Sequence, residues 1–506
     1  MSAYESLLAR LAELGHLGQA AALMGWDHQC HMPPGGALAR ANAMGAMGKL
    51  LHERFTDSET GRLLAAAEAE GAEEGSDKAL TLRVVRRDFD RSVKLPTELV
   101  ATLARETALG HEVWVKARKD NDFAYFTPTL ERLLDLSRQV ADHLGHNGCR
   151  YDALLDQYEP GMTTEQVATV FAEVRDGLLP LMEIIREGEP VDESCLRRHF
   201  DEKTQLQFTE YVAKKLGFDF TQGRQDLAVH PFCQSMHRTD VRLTTRVEPN
   251  WLPCALMGTI HEAGHGMYEQ GFNPDDDDTP LSGATSLGFH ESQSRLWENI
   301  IGRSRTFWTV FYPGLQRHFP SVLADTDMHQ FYRAINRVEP SLIRVEADEV
   351  TYCLHIFLRF ELEQELIAGT LAVKDLPEAW NSKMQSYLGI TPPTDSVGCL
   401  QDVHWSGGMF GYFPTYALGT MLSAQLYEKA LASEPSIEPG LIRGDYTPLL
   451  AWLRENVHRP GRRYLPSELT ERICGEPLSA KPLLRYLHSK YREIYFAERR
   501  QRRRIL

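Results

Sequence analysis

Apolar residues recur at helical spacing along most of the chain. Leu7, Leu8, Leu11 and Leu14 mark one stripe near the start; Val167, Phe171, Val174 and Leu178 mark another in mid-chain. Leu354, Ile356, Phe357, Phe360 and Leu362 supply a third. Steps of three and four residues place such side chains on one face of a helix. Strand-like alternation is scarce. Its clearest instance is Asp240-Val241-Arg242-Leu243-Thr244-Thr245-Arg246, short, β-branched and alternating, which predicts a sheet edge beside a cleft. An edge of that kind offers backbone hydrogen bonds to an extended peptide. The pattern predicts a mainly α protein with one small β-sheet.

At 506 residues and 42% hydrophobic content, the chain buries one extended core or two lobes. No internal repeat or low-complexity linker divides it. The net charge of −15 argues against a general nucleic-acid binder. The basic run Arg499-Arg500-Gln501-Arg502-Arg503-Arg504 reads as a solvated helix end. Asp275–Asp278 lacks the spacing of a calcium loop and reads as a solvated turn. The 8 cysteines form no CxxC pair, and the start has no basic segment followed by an apolar run. Nor is any stretch apolar enough to span a membrane. The expectation is a cytoplasmic protein with ordinary buried cysteines.

The densest chemistry lies in His261-Glu262-Ala263-Gly264-His265. Two histidines four apart share one helix face, about 6 Å apart along the axis, so both imidazoles reach one metal ion. Glu262 leaves the same turn, within reach of a water on that metal. Asn250 is the expected N-cap, Pro253 fits the first turn, and Gly271 marks the stop. Gly264 and Gly266 each cost the helix about 1 kcal/mol relative to alanine, which suits a place where another backbone or a ligand comes close.

A catalytic zinc site needs a third protein ligand and an open position. Glu269 lies about 12 Å from His261 along a straight helix, too far for one ion to take both. Glu291 is the better candidate, on a second helix predicted over Gly288–Asn299, where Arg295 and Glu298 share its face as supporting groups. Arg344 and Asp348 stand four apart, a spacing that predicts a helical ion pair. His404, Tyr412 and Tyr416 follow in a Gly- and Pro-rich stretch and are donors suited to an oxyanion.

Taken together, these residues make the chain resemble the metallocarboxypeptidases of the carboxypeptidase Taq family over essentially its full length. The resemblance rests on Asp240-Val241-Arg242-Leu243-Thr244, His261–His265, His290-Glu291-Ser292-Gln293, Ile343–Asp348 and Gly398–Trp405. Trp26-Asp27 and Met32-Pro33-Pro34-Gly35 resemble the family's opening. It implies a helical protein with a long, deep groove, similar to neurolysin and angiotensin-converting-enzyme-like peptidases, usually a homodimer. One catalytic domain over residues 1–506 is expected, with about 1–230 forming a groove wall and 231–506 carrying the metal site. It implies His261, His265 and Glu291 as ligands of zinc, or of cobalt, and Glu262 as catalytic base. The substrate is a peptide with a free C-terminus, whose carboxylate is held by Arg344 or by Arg242 with Asp240 beside it. His404 and either Tyr412 or Tyr416 stabilise the oxyanion. Two other readings share these residues: an endo-acting oligopeptidase, and a non-catalytic peptide-binding scaffold with structural zinc. The second lacks the fourth Cys or His that a closed zinc site needs.

Overall fold

In a computed structural model, the backbone of residues 1–505 is described, with side chains through Phe496. The basic run Arg499–Arg504 lies outside the described side chains. Helices dominate, and the three expected stripes fall on Ala3–Cys30, Thr164–Arg186 and Tyr352–Ala368. Their burial differs. Val167, Phe171, Val174 and Leu178 are all buried, whereas the first helix buries only Leu7 and Trp26. Helix Tyr352–Ala368 is buried nearly all round, including His355, Arg359 and Glu363, as a central helix must be. Among the described residues, no helix is long and apolar enough to cross a membrane.

The main core runs from Leu99 to Tyr495 and continues across residue 230. A small separate core gathers Leu7, Leu63, Leu64, Ala67, Leu82 and Val85. Ion pairs tie the N-terminal helices to the rest, among them Asp88–Arg462, Asp77–Arg463 and Asp156 with Arg87 and Arg91.

One three-stranded sheet forms, from β1 (Gly223–Leu227), β2 (Cys233–His237) and β3 (Asp240–Thr245), in the order β1-β3-β2. β3 pairs parallel to β1 and antiparallel to β2. The segment expected at an edge is therefore central, because both Gly223–Leu227 and Cys233–His237, too weakly patterned to read as strands, pair with it. The edges are left to β1 and β2. Alternation along β3 still sorts its two faces. Val241 and Leu243 are fully buried, with Leu243 against Gly266 of helix Leu252–Glu269. Arg242 lies on the opposite face, its guanidinium 4.2 Å from the Trp26 ring and paired with Asp240.

Two further local expectations change. Helix Leu252–Glu269 has Trp251 as its N-cap, while Asn250 hydrogen-bonds His199 instead. The Asp275–Asp278 run is not merely solvated: Asp276 pairs with Arg463, Asp277 with Arg238, and Asp278 with His16. It stitches the first helix and the C-terminal part to the end of helix Leu252–Glu269.

Beside the sheet lies a cavity of about 760 Å³, bounded by Leu11, Gly15 and Gly18 of the first helix, by β2, and by Glu269.

Candidate metal centre and its surroundings

Helices Leu252–Glu269 and Leu287–Arg295 pack so closely that Gly264 has no room for a side chain. A Cβ there would sit 2.7 Å from the Gln293 carbonyl oxygen and 2.7 Å from Ser294 Cα. Helix Pro414–Ser433 closes from the other side, where a Cβ on Gly419 would lie 2.6 Å from Glu291 Cβ. Glycine at these two positions lets three helices converge on one point.

At that point the Nε2 atoms of His261 and His265 lie 3.6 and 3.4 Å from Glu291 Oε2. The three side chains offer ligand atoms within 4.8 Å of one another, a spacing that fits one tetrahedral or five-coordinate ion. The donor set, two imidazoles and a carboxylate with no fourth protein ligand in the group among the described residues, suits a catalytic divalent cation rather than a closed structural site. Supporting groups fix each donor. His261 Nδ1 meets Glu298 Oε2 at 2.8 Å, and Arg295 Nε donates to Glu291 Oε1 at 2.6 Å. Glu298 leaves a π-helical turn, Leu296–Ile301, that follows Leu287–Arg295 directly. His265 Nδ1 meets His290 Nδ1 at 2.6 Å.

The charges follow from this packing. Burial alone would raise the Glu291 carboxyl, but Arg295, His261 and His265 hold it well below the usual carboxylate range. Burial drives the His265 imidazole down to about 3, so it is neutral. Burial opposes the His261 cation too, yet Glu291 and Glu298 carry this imidazole up to about 9. Burial pushes Glu262 up to about 7; His261 opposes that rise, and the Glu291 and Glu298 carboxylates add to it. A carboxyl near neutrality beside a ligand cluster is suited to moving a proton in either direction at physiological pH.

Arg344 is placed differently from its expected helical pairing with Asp348. It starts a short 3-10 turn, Arg344–Glu346, and is buried. Its Nε and Nη2 donate to Asp402 Oδ1 at 3.0 and 2.8 Å, and Nη1 donates to the Tyr352 hydroxyl at 3.2 Å. Asp348 instead accepts from the backbone of Glu339, Val350 and Thr351, because the chain after Glu346 leaves the helical path. Tyr416 lies under the Arg344 guanidinium at 4.9 Å, and its hydroxyl meets His404 Nε2 at 3.1 Å. Tyr412 packs edge-on against both Tyr416 and Tyr158. Burial and the nearby Arg344 hold His404 down to about 3, so it is neutral. Of the two arginine candidates, Arg344 thus sits with His404, Tyr416 and Tyr352, whereas Arg242 and Asp240 lie at the sheet.

Several buried groups in this region carry no signal in sequence spacing. Arg359 donates to Asp402 Oδ2 at 2.7 Å, so that carboxylate is clamped between two guanidinium groups. One turn further along the same helix, Glu363 accepts from the Trp405 indole at 2.8 Å, the Tyr151 hydroxyl at 2.6 Å and the Gly411 amide at 3.1 Å. Arg359 and Glu363 thereby hold the loop that bears His404 and Tyr412, through Asp402, Trp405 and Gly411. The only sequence hint is that Arg359 and Glu363 fall among the apolar positions of a helix that is buried nearly all round.

The model of the family described as carboxypeptidase Taq (M32) metallopeptidases matches residues 6–491. The chain is 41% identical to thermostable carboxypeptidase 1 of Thermus thermophilus, over 98% of this chain and 99% of that one. It is 38% identical to carboxypeptidase 1 of Bacillus subtilis, over 96% and 97% of the two chains. Among solved structures, the M32 carboxypeptidase from Deinococcus radiodurans R1 superposes with a TM-score of 0.94 at 43% identity, covering 97% of this chain and 99% of that one. Likeness at this level, unbroken from end to end, is that of one family: the chain belongs to the carboxypeptidase Taq (M32) metallopeptidases.

Proposed function

We propose that this protein is a metal-dependent carboxypeptidase that removes single residues from the free C-terminus of peptides. The observation that carries the reading is the juxtaposition of the His261, His265 and Glu291 cluster with Glu262, a buried carboxyl held up to about 7. His261, His265 and Glu291 hold the cation, which we take to be zinc, with cobalt as an alternative. When bound, such an ion acts as a Lewis acid that acidifies a water and polarises a carbonyl.

The chain's own residues do the rest. Glu262 takes the proton of the attacking water at its carboxylate and delivers it to the leaving amine. His404 Nε2 lies 3.1 Å from the Tyr416 oxygen; with the imidazole proton on Nε2 it would donate there and leave the tyrosine proton for the carbonyl oxygen as charge develops, and one such donor is typically worth ~3 kcal/mol. Tyr412 packs behind Tyr416 and limits its ring. Arg344 receives the substrate's α-carboxylate, for which a planar guanidinium is better matched than an ammonium. The upstream peptide follows the free edge of β2 into the cavity beside Glu269. Arg242 and Asp240 brace the sheet from its other face rather than touch the carboxylate.

We further read the chain as one catalytic domain acting as a cytoplasmic homodimer; the family resemblance and 8 free thiols support this. The test is digestion of one mid-length peptide, free and amidated at its C-terminus, with and without chelator, followed by mass spectrometry. A ladder of single C-terminal losses on the free peptide alone, abolished by chelator, is the expected result. Internal cuts on both forms would make it an oligopeptidase.

A further inference from the structure

The two histidines of the HEAGH segment are supported unequally. His261 reaches a carboxylate directly, through the 2.8 Å contact of Nδ1 with Glu298. His265 reaches one only through a second imidazole: His290 Nδ1 lies 2.6 Å from His265 Nδ1, and His290 Nε2 lies 2.7 Å from Glu269 Oε1. The intermediate ring is well held. It packs at 4.6 Å against the His265 ring and at 5.2 Å, edge-on, against the Tyr268 ring. Glu269 comes from the same helix as His265, one turn on, so both ends of the chain are anchored on one rigid element.

Hydrogen-bond logic then fixes the protons. For Nε2 of a neutral His265 to face a cation, its proton must sit on Nδ1 and donate to His290 Nδ1. A neutral His290 that accepts there carries its own proton on Nε2 and donates it to the Glu269 carboxylate. Every nitrogen and the accepting oxygen are then satisfied. We propose that Glu269 and His290, neither of them a metal ligand, are positioning residues whose hydrogen-bonded chain locks His265 as the tautomer that ligates through Nε2. Glu269 is too far along the helix to share the ion, and its carboxylate is instead occupied by His290.

This inference rests on His265 being a ligand, so the experiment tests the two separately. Metal-free protein is titrated with Zn²⁺ in competition with a chromophoric chelator. His290→Leu and Glu269→Leu, which remove the acceptors, are expected to weaken Zn²⁺ binding ~10- to 100-fold. His290→Asn and Glu269→Gln, which keep an acceptor oxygen, are expected to recover most of that loss. His265→Ala is the reference. If it binds Zn²⁺ like the wild type, the ligand assignment falls. If it loses Zn²⁺ while both leucine variants bind like the wild type, the positioning chain alone falls. Independently of any variant, the ¹⁵N-histidine spectrum of the zinc-loaded wild type is expected to show His265 protonated at Nδ1 and His290 at Nε2. Protonation of His290 at Nδ1 alone would overturn the chain.

Discussion

Arg344 grips Asp402 through Nε and Nη2 at 3.0 and 2.8 Å, and Arg359 holds the other oxygen of the same carboxylate at 2.7 Å. One carboxylate therefore orients two buried guanidinium groups, and only Arg344 also touches the Tyr352 hydroxyl and lies over Tyr416. Its flat fork is fixed in place before any peptide arrives. Arg344→Ala should weaken kcat/KM on peptides with a free C-terminus by a factor corresponding to about 2–5 kcal/mol, the usual cost of truncating one partner of a buried charge pair. Because Asp402 keeps Arg359, the protein should still fold. Binding of free and amidated forms of one peptide, measured as competitive inhibition, checks this, and equal loss on both would remove Arg344 from carboxylate recognition.

Glu262 is buried next to the ligand cluster and held up to about 7. Its replacement by glutamine preserves shape and removes the proton acceptor. Glu262→Gln should lower turnover by ~10²- to 10⁴-fold, the typical worth of a general base. Metal content by elemental analysis should stay at the wild-type level. Retained turnover with full metal content would take Glu262 out of the chemistry.

The ligand cluster predicts how metal affinity depends on pH. Without metal, His265 is held down to about 3 and is already neutral, and the Glu291 carboxyl is ionised, but His261 is held up to about 9 by Glu291 and Glu298. A cation binds only the unprotonated imidazole, so at neutral pH it must displace a proton from His261. Apparent affinity should therefore rise with pH, about tenfold per unit, and level off near 9. Calorimetric titration in buffers of different ionisation enthalpy counts the protons released. No net release near pH 7 would contradict the assignment of His261 as a protonated ligand precursor.

The helical class and the pairing of His261 with His265 were legible in the sequence because both depend on short-range spacing, whereas the meeting of Glu291 with them depends on the packing of a second helix and was favoured by the family resemblance. His261 and His265 share a face by periodicity, and Glu291, Arg295 and Glu298 lie within two turns of one another. Sheet order was not legible: β3 has the strongest strand pattern and was expected at the edge, but being central depends on two weakly patterned partners elsewhere in the chain. Arg344 illustrates the same limit. Its spacing from Asp348 suggested a local pair, while its actual partner is 58 residues away. Glu363 likewise draws its donors from Tyr151, Trp405 and Gly411, contacts that only the folded chain creates.

The two glycines that the HEAGH helix places at 258 and 264 should respond in opposite ways to the same substitution. Each gains up to about 1 kcal/mol of helix propensity when replaced by alanine. At Gly258 the new methyl finds its nearest neighbours, Pro231 and Thr245, at 3.7 and 3.8 Å, which is ordinary contact. At Gly264 it would lie 2.7 Å from the Gln293 carbonyl oxygen, and backbone cannot swing aside as a side-chain tip does. Helix Leu287–Arg295 would have to move, carrying Glu291 away from the histidines. Overpacking of that kind costs about 1–3 kcal/mol, more than the propensity returns. Gly258→Ala should thus raise the melting temperature of the metal-free protein and leave Zn²⁺ affinity unchanged. Gly264→Ala should lower both. Thermal unfolding together with chelator competition separates these outcomes. A Gly264→Ala protein with wild-type stability and wild-type metal binding would mean that this close helix contact does not set the position of Glu291.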